Sequence, residues 1–190
     1  MQYHKLYAMI SNYIKFEQKD KDLINSLFKY ETVSKGTLLL ETGKHTDRVF
    51  FIISGYMRYF KVIKTGEELI IHLFEPNNFA TSVNSFFSEK KTEDTLQAIT
   101  DCEYLYISKS DLEKLYSTNM KWQSFGRMLM ESFLIEKEER IIDQLSLTAQ
   151  DRYMKLMKSQ PGIIKNIPIK YIASFIGIQP ESLSRIRKNK

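Results

Sequence analysis

The sequence predicts an α+β chain of two-domain build, with an antiparallel β unit first and a small helical unit last. Three observations carry this: strand-length apolar stretches divided by glycines between about 36 and 108, an almost unbroken helical period from about Met120 to Leu147, and a terminal helix pair turning on Gly177. With 190 residues, 43% hydrophobic and 13% aromatic, the chain has apolar surface enough for packed cores. The boundaries read from these patterns divide it into 1–117, 118–147 and 148–190.

Residues 1–30 show mixed helical periodicity (Leu6, Met9, Ile10, Tyr13, Ile14, then Leu23 and Leu27), which predicts short helices leading into the first core. From 36 the segments GTLLLETG, RVFFIISG, YMRYFKVIKTG, EELIIHLFEPNNF, TLQAIT and CEYLYIS follow one another. They are rich in β-branched and aromatic residues, and Lys64-Thr65-Gly66-Glu67 has the composition of a hairpin turn. Many short strands at this spacing predict a sandwich or closed barrel.

Ser110 with Glu113 predicts a capping box for a short helix, and the long helix follows. Trp122, Phe125, Met128, Leu129, Ser132 and Ile135 share one broad stripe, which Ile142 continues, while Glu136, Lys137, Glu139 and Arg140 lie opposite. At 1.5 Å per residue such a helix runs about 40 Å, longer than a domain of this size is wide. It is expected to pack against a copy of itself through that stripe; the alternative is a core helix laid across the β unit. Thr148 with Asp151 then predicts the cap of a further helix, stopped by Pro161-Gly162.

Charge is distributed unevenly. The chain carries +5 overall, yet residues 150–190 hold nine basic against two acidic residues, and 1–149 hold 19 against 21. A positive C-terminal fifth suits a polyanionic partner, or else a solubilising tail. The single cysteine, Cys102, excludes an internal disulfide and a Cys-rich metal cluster, and a reducing cytoplasm fits. The start, MQYHKLYAMISNYIKF, lacks the apolar core of a signal peptide, and no apolar run approaches bilayer length, so no membrane role is expected.

The segment IPIKYIASFIGIQPESLSRIRKNK carries the strongest functional pattern. Pro168 can open a helix whose apolar face is Ile172, Ala173 and Ile176; Gly177 permits a left-handed turn; Pro180 fits the first turn of a second helix. Leu183 and Ile186 face back, leaving Gln179, Glu181, Ser182, Ser184, Arg185, Arg187 and Lys188 outward. This is the pattern of a helix-turn-helix, whose second helix enters the major groove of double-stranded DNA. Arg can grip guanine with two hydrogen bonds and Glu can accept from cytosine, while Lys170 and the terminal basic residues, Lys190 included, suit phosphates. An amphipathic helix pair with another purpose could show the same periodicity.

The order of a glycine-punctuated β unit, a long helix and a terminal I-A-x-x-x-G-I-x-P-E-S-L-S-R-I-R closely resembles the Crp/Fnr family of cyclic-nucleotide-receptor-type regulators, over roughly 20–190. The resemblance implies a β-roll (jelly-roll) effector domain, a dimerisation helix and a winged-helix-like DNA-binding domain, acting as a homodimer that controls transcription and contacts RNA polymerase. Glu181, Ser182 and Arg185 fall on the family's base-contacting positions. Pro180 stands where an arginine is common, so one base contact is expected to be missing. The sequence given stops three residues after Arg187, so the winged part is expected to be truncated.

In relatives that bind cyclic AMP, a Gly-Glu and a later Arg-Ser hold the ribose and phosphate. Placing Phe79 and Cys102 on their counterparts puts Thr81-Ser82 and Thr92-Glu93 at those positions. The phosphate-binding arginine is absent, and Glu93 would repel a phosphodiester by about 4 kcal/mol at 4 Å in a medium of intermediate dielectric. Cyclic AMP is therefore disfavoured, and another small effector would touch Arg58, Thr81, Ser82 and Thr92. One cysteine with His4, His45 and His72 supplies no iron-sulfur or haem ligand set, so no cofactor or metal is expected. His72 reads as a packed or solvent-facing residue and Cys102 as a small buried apolar one. No phosphate loop, G-x-S-x-G or H-E-x-x-H occurs, and Glu67-Glu68 and Glu138-Glu139 read as solvated charges, so no enzyme is expected. The competing reading is a small-ligand sensor whose terminal helices bind a protein.

Overall fold

The computed structural model describes residues 2–188; Lys190, read above as a phosphate contact, lies outside the described residues. Helices α1 (His4–Ser11) and α2 (Gln18–Leu27) precede strands β1 (Lys29–Val33), β2 (Leu38–Leu40), β3 (Arg48–Ser54), β4 (Met57–Val62), β5 (Glu68–Phe74) and β6 (Phe79–Ala80). A short helix, α3 (Val83–Ser88), leads to β7 (Thr95–Ala98) and β8 (Cys102–Ser108). Then come α4 (Lys109–Thr118), α5 (Met120–Ser146), α6 (Ala149–Ser159), α7 (Pro161–Asn166), α8 (Ile169–Ile176) and α9 (Pro180–Lys188).

The strands form two antiparallel four-stranded sheets, ordered β1-β8-β3-β6 and β2-β7-β4-β5. Successive side chains of a strand point to opposite faces, so an all-apolar strand needs cover on both sides. That is what RVFFIIS and CEYLYIS receive. Phe50, Ile52, Tyr104 and Tyr106 fill the space between the sheets. On the outer face Phe51, Ile53, Leu105 and Ile107 lie under α1, α2, α4 and the start of α5. The second sheet is covered in the same way from outside, with Phe60, Ile70 and Leu73 sharing one apolar cluster with Tyr153, Ile163, Ile172, Ile176 and Leu183 of α6–α9.

The local signals mostly hold. The expected hairpin turn closes with the Ile63 amide donating to the Glu67 carbonyl at 3.0 Å, and Gly66 takes φ +85°. Thr148 caps α6 by accepting from the Asp151 amide at 3.2 Å. The cap of α4 is Ser108, accepting from the Asp111 amide at 3.1 Å, and not Ser110. Ser108 is still extended (φ −74°, ψ 158°), as a cap must be, whereas Ser110 already lies in the first turn. Pro161-Gly162 ends α6 but also opens α7, with Pro161 in its first turn.

The long helix needs a larger correction. Trp122 and Phe125 are 1% and 6% exposed, packed inside this chain with Tyr13, Phe16 and Phe79, so they are not available to a partner. Leu129 and Met128 are half-buried, and Leu129 packs against the same cluster. The inward face continues through Phe133, Lys137 and Arg140, as a 3.6-residue period requires. The apolar face left open lies a third of a turn away: Met130, Leu134, Ile135, Ile141, Ile142 and Leu145. Of the residues expected on the seam, Ile135, Ile142 and the polar Ser132 are exposed.

This division predicts a stability contrast. Trp122→Ala should lower the unfolding free energy by about 3–5 kcal/mol, the range for emptying a large aromatic site. Leu145→Ala, at 84% exposure, should change that of the isolated chain by less than about 0.5 kcal/mol. Urea unfolding at dilute chain concentration reads both.

Candidate nucleic-acid interface and sensor interior

Helix α8 ends where Gly177 takes φ +76°, and the Ile178 amide returns to the Ala173 carbonyl at 3.0 Å. The chain can then reverse, and α9 is anchored by Leu183, fully buried against Ile172, Ala173 and Ile176, with half-buried Ile186 packed on the same cluster. Ala173 is also fully buried, the small residue at the crossing of the two helices. With Leu183 inward, Gln179, Glu181, Ser182, Arg185, Arg187 and Lys188 are exposed, and Ser184 is half-buried with its hydroxyl donating to the Pro180 carbonyl at 3.0 Å. Among the described residues no ion pair engages Glu181, Arg185, Arg187 or Lys188. Lys170 is exposed on α8, its ammonium 4.9 Å from the Tyr171 ring centre.

The helix pair is fastened to β4 and β5. The Ser174 hydroxyl accepts from the Ile70 amide at 3.0 Å and donates to the Glu68 carbonyl at 3.2 Å. Arg58, 4% exposed, makes a two-pronged ion pair with Glu68 and lies between the rings of Phe60 (4.0 Å) and Tyr171 (4.2 Å). Its guanidinium holds the Glu68 carboxyl below the usual range. From α5, Arg140 donates to the Ile71 carbonyl and, at 3.3 Å, to the Phe175 carbonyl at the end of α8.

Beside Arg140 sits His72, 4% exposed. The Lys137 ammonium lies 3.1 Å from Nδ1 and can only donate, so Nδ1 accepts and Nε2 carries the proton of a neutral ring. Burial first, then the Lys137 and Arg140 charges, hold the imidazole well below its ordinary 6.5. Burial likewise pulls Lys137 down to about 8 and Arg140 to about 10, and pushes the Glu136 carboxyl up. Sequence reasoning missed this cluster. The sequence places Glu136, Lys137 and Arg140 opposite the apolar stripe, and their charge gives no sign that Lys137 and Arg140 turn inward onto β5 and α8.

The effector residues expected together are found in three places. Arg58 points away from the roll interior, since it neighbours inward-facing Tyr59 on the same strand. Ser82 and Thr92 are buried in a closed network: the Tyr59 hydroxyl lies 2.9 Å from Ser82 Oγ and 2.8 Å from the Asp94 carboxylate, and Ser82 Oγ is 3.3 Å from Thr92 Oγ1. Burial, with Asp94 adding to it, raises Tyr59 to about 12. Thr81 donates instead to the Arg48 carbonyl at 2.8 Å and stands at the rim of an apolar cavity outside the roll. Glu93 is exposed and paired with Lys61, so the carboxylate facing the interior is Asp94. The charge argument against a phosphodiester thus passes from Glu93 to its neighbour.

The His72 cluster predicts a pH signature. Its folded pKa lies below its unfolded one, so on acidification the unfolded chain takes the proton first. The associated stability is present above about pH 6.5 and is lost as pH falls toward the folded value. Glu136, shifted upward, acts with the opposite sign above 4.5. Between pH 7 and 5 the urea midpoint of His72→Gln should therefore fall less steeply than that of the parent chain.

Residues 30–119 match the family described as Cyclic nucleotide-binding domain. The chain is 24% identical to the Anaerobic regulatory protein of Bacillus subtilis, with 92% of this chain and 82% of that protein covered. Among solved structures it is similar to FixK2 from Bradyrhizobium japonicum (TM-score 0.76, 15% identity, 86% of this chain and 84% of that one). It is also similar to a regulator of the Crp/Fnr family from Eubacterium rectale (TM-score 0.69, 16% identity, 94% and 87%). At these identities the structural likeness is one of fold.

Proposed function

From a chain whose fold is that of the Crp/Fnr regulators, we propose a sequence-specific, dimeric DNA-binding regulator of transcription. The observation that carries the reading is the outer face of α9, where Leu183 is the buried anchor and Glu181, Ser182, Arg185, Arg187 and Lys188 stand free toward solvent. Such a face meets the needs of major-groove reading: Arg185 and Glu181 carry groups that distinguish base pairs, Ser182 and Gln179 add short donors and acceptors, and Lys170, Arg187 and Lys188 suit phosphates. The excess of nine basic over two acidic residues in 150–190 supports a polyanionic partner.

In this reading residues 1–117 sense, 118–147 dimerise and 148–190 read DNA, with RNA polymerase as a further partner and the cytoplasm as the compartment. No helix among the described residues is long and apolar enough to cross a membrane. The dimer seam is the open stripe of α5, Leu134, Ile135, Ile141, Ile142 and Leu145, whose spacing of roughly seven residues suits a helix packed on its own copy. The sealed hydroxyl network at Ser82 and Thr92 supports an effector other than cyclic AMP.

Arg185→Ala should lower discrimination at one base pair by about 1–3 kcal/mol, whereas Lys170→Ala should weaken all sequences alike and flatten the salt slope by about one. Titrations of specific and random duplexes at several salt concentrations measure both; equal losses on the two duplexes for Arg185→Ala would remove its base-reading role. Leu134→Ser with Ile141→Ser should shift the chain toward monomer and, by doing so, weaken a two-half-site duplex more than a single half-site. Analytical ultracentrifugation with the same titrations checks it.

A further inference from the structure

Between the first sheet, the end of β5 and helices α1–α5 lies a half-open cavity of about 270 Å³, which reaches the roll core at Phe74 and Ala80 but is separate from the Tyr59–Ser82–Thr92 network and from the face of α9. Its walls are apolar, with Ile10, Phe79, Phe86, Phe125, Leu129 and Phe133 among them. Protein interiors rarely leave voids larger than a water molecule, and apolar ones stay dry and accept apolar guests. Gly126 of the long helix lets Tyr116 pack directly on the backbone at the cavity wall, since a Cβ there would meet the Tyr116 hydroxyl at 2.3 Å.

Two polar groups of the cavity sit together. His72 and Glu136 line the cavity, and His72 Nε2 lies 3.7 Å from Glu136 Oε1, beyond hydrogen-bond range. Because Nδ1 already accepts from Lys137, the Nε2 proton faces a carboxylate that it does not reach. A hydroxyl is the group that fits such a gap: its oxygen accepts from Nε2–H while its proton goes to the carboxylate.

We propose that this cavity is an effector site for a small uncharged alcohol or phenol, its aromatic or aliphatic body among the phenylalanines and its hydroxyl bridging His72 and Glu136. The next residue, Lys137, holds His72 of β5, and Arg140 one turn on holds β5 and the end of α8. An occupant seated against Phe133 and Glu136 therefore bears on the segment that fastens the helix pair. Any consequence for DNA rests on the reading given above; uptake itself does not.

The test is calorimetric titration of the full chain, without DNA, with 1-naphthol and with naphthalene. The expected result is one saturable site per chain that prefers naphthol. Met130→Trp, at the half-open cavity wall, should weaken naphthol by at least roughly tenfold through loss of space, while Lys64→Trp, in the distant hairpin turn, should not. Absence of saturable uptake, equal affinity for the two probes, or undiminished binding by a folded Met130→Trp would overturn the site. Should Met130→Trp fail to fold, hydrogen exchange of the parent chain decides. Naphthol must slow exchange at Phe86–Phe87 and along Met130–Glu136, and slowing confined elsewhere counts against the cavity.

Discussion

The relation between sheet, long helix and C-terminal helix pair depends on one half-buried guanidinium. Arg140 joins the Ile71 carbonyl of β5 to the Phe175 carbonyl in the last turn of α8, with its plane 4.0 Å from the Phe175 ring. The last carbonyls of a helix have no partner within it, so a donor there satisfies a group that burial would otherwise leave unpaired. Burial pulls Arg140 down to about 10, which still leaves it charged at neutral pH. Gln144, one turn on, reaches the same carbonyl at 3.5 Å.

Around that point β5 serves two cores. Its Phe74 belongs to the space between the sheets and its Ile70 and Leu73 to the cluster shared with α6–α9. Arg58 and Glu68 close the opposite edge, where Tyr171 covers the guanidinium. Arg58 is buried while Glu68 keeps 40% of its side chain exposed, so solvent offsets part of the attraction, but removing Glu68 would leave the buried guanidinium without its counterpart. The polar groups at this junction therefore set where α8 sits, while the apolar cluster supplies the burial. Since α9 is held through Leu183 on α8, its placement follows from the same strand.

Much of this architecture was legible in the residues. The glycine-divided apolar stretches marked the strands, Gly177 marked the turn, and the 3.6-residue period of PESLSRIRK separated Leu183 from Arg185 before any coordinates. The two misreadings on the long helix share one cause. Periodicity says which residues lie on a common face but not which face turns inward, so the stripe through Trp122 and Phe125 was read as a seam although it packs on α1, α2 and the first sheet. Charge was misleading for the same reason at Lys137 and Arg140. Thr81, Ser82 and Thr92 follow from the family's spacing and Arg58 was added to them, but strand alternation sends Arg58 to the opposite side from Tyr59. The apolar cavity left no linear trace, because its walls are gathered from many separate stretches of chain, from α1 and α2 through β3, β5, α3, β8 and α4 to α5.

The central claim is that the free face of α9 reads the major groove from a two-fold symmetric pair of chains. Selection of bound sequences from a random pool of duplex DNA tests it most directly. The account predicts enrichment of a near-palindromic site whose half-site centres lie about one helical turn, ~34 Å, apart. A pool that stays random after repeated rounds, with no salt-dependent retention of DNA by the chain, would contradict it.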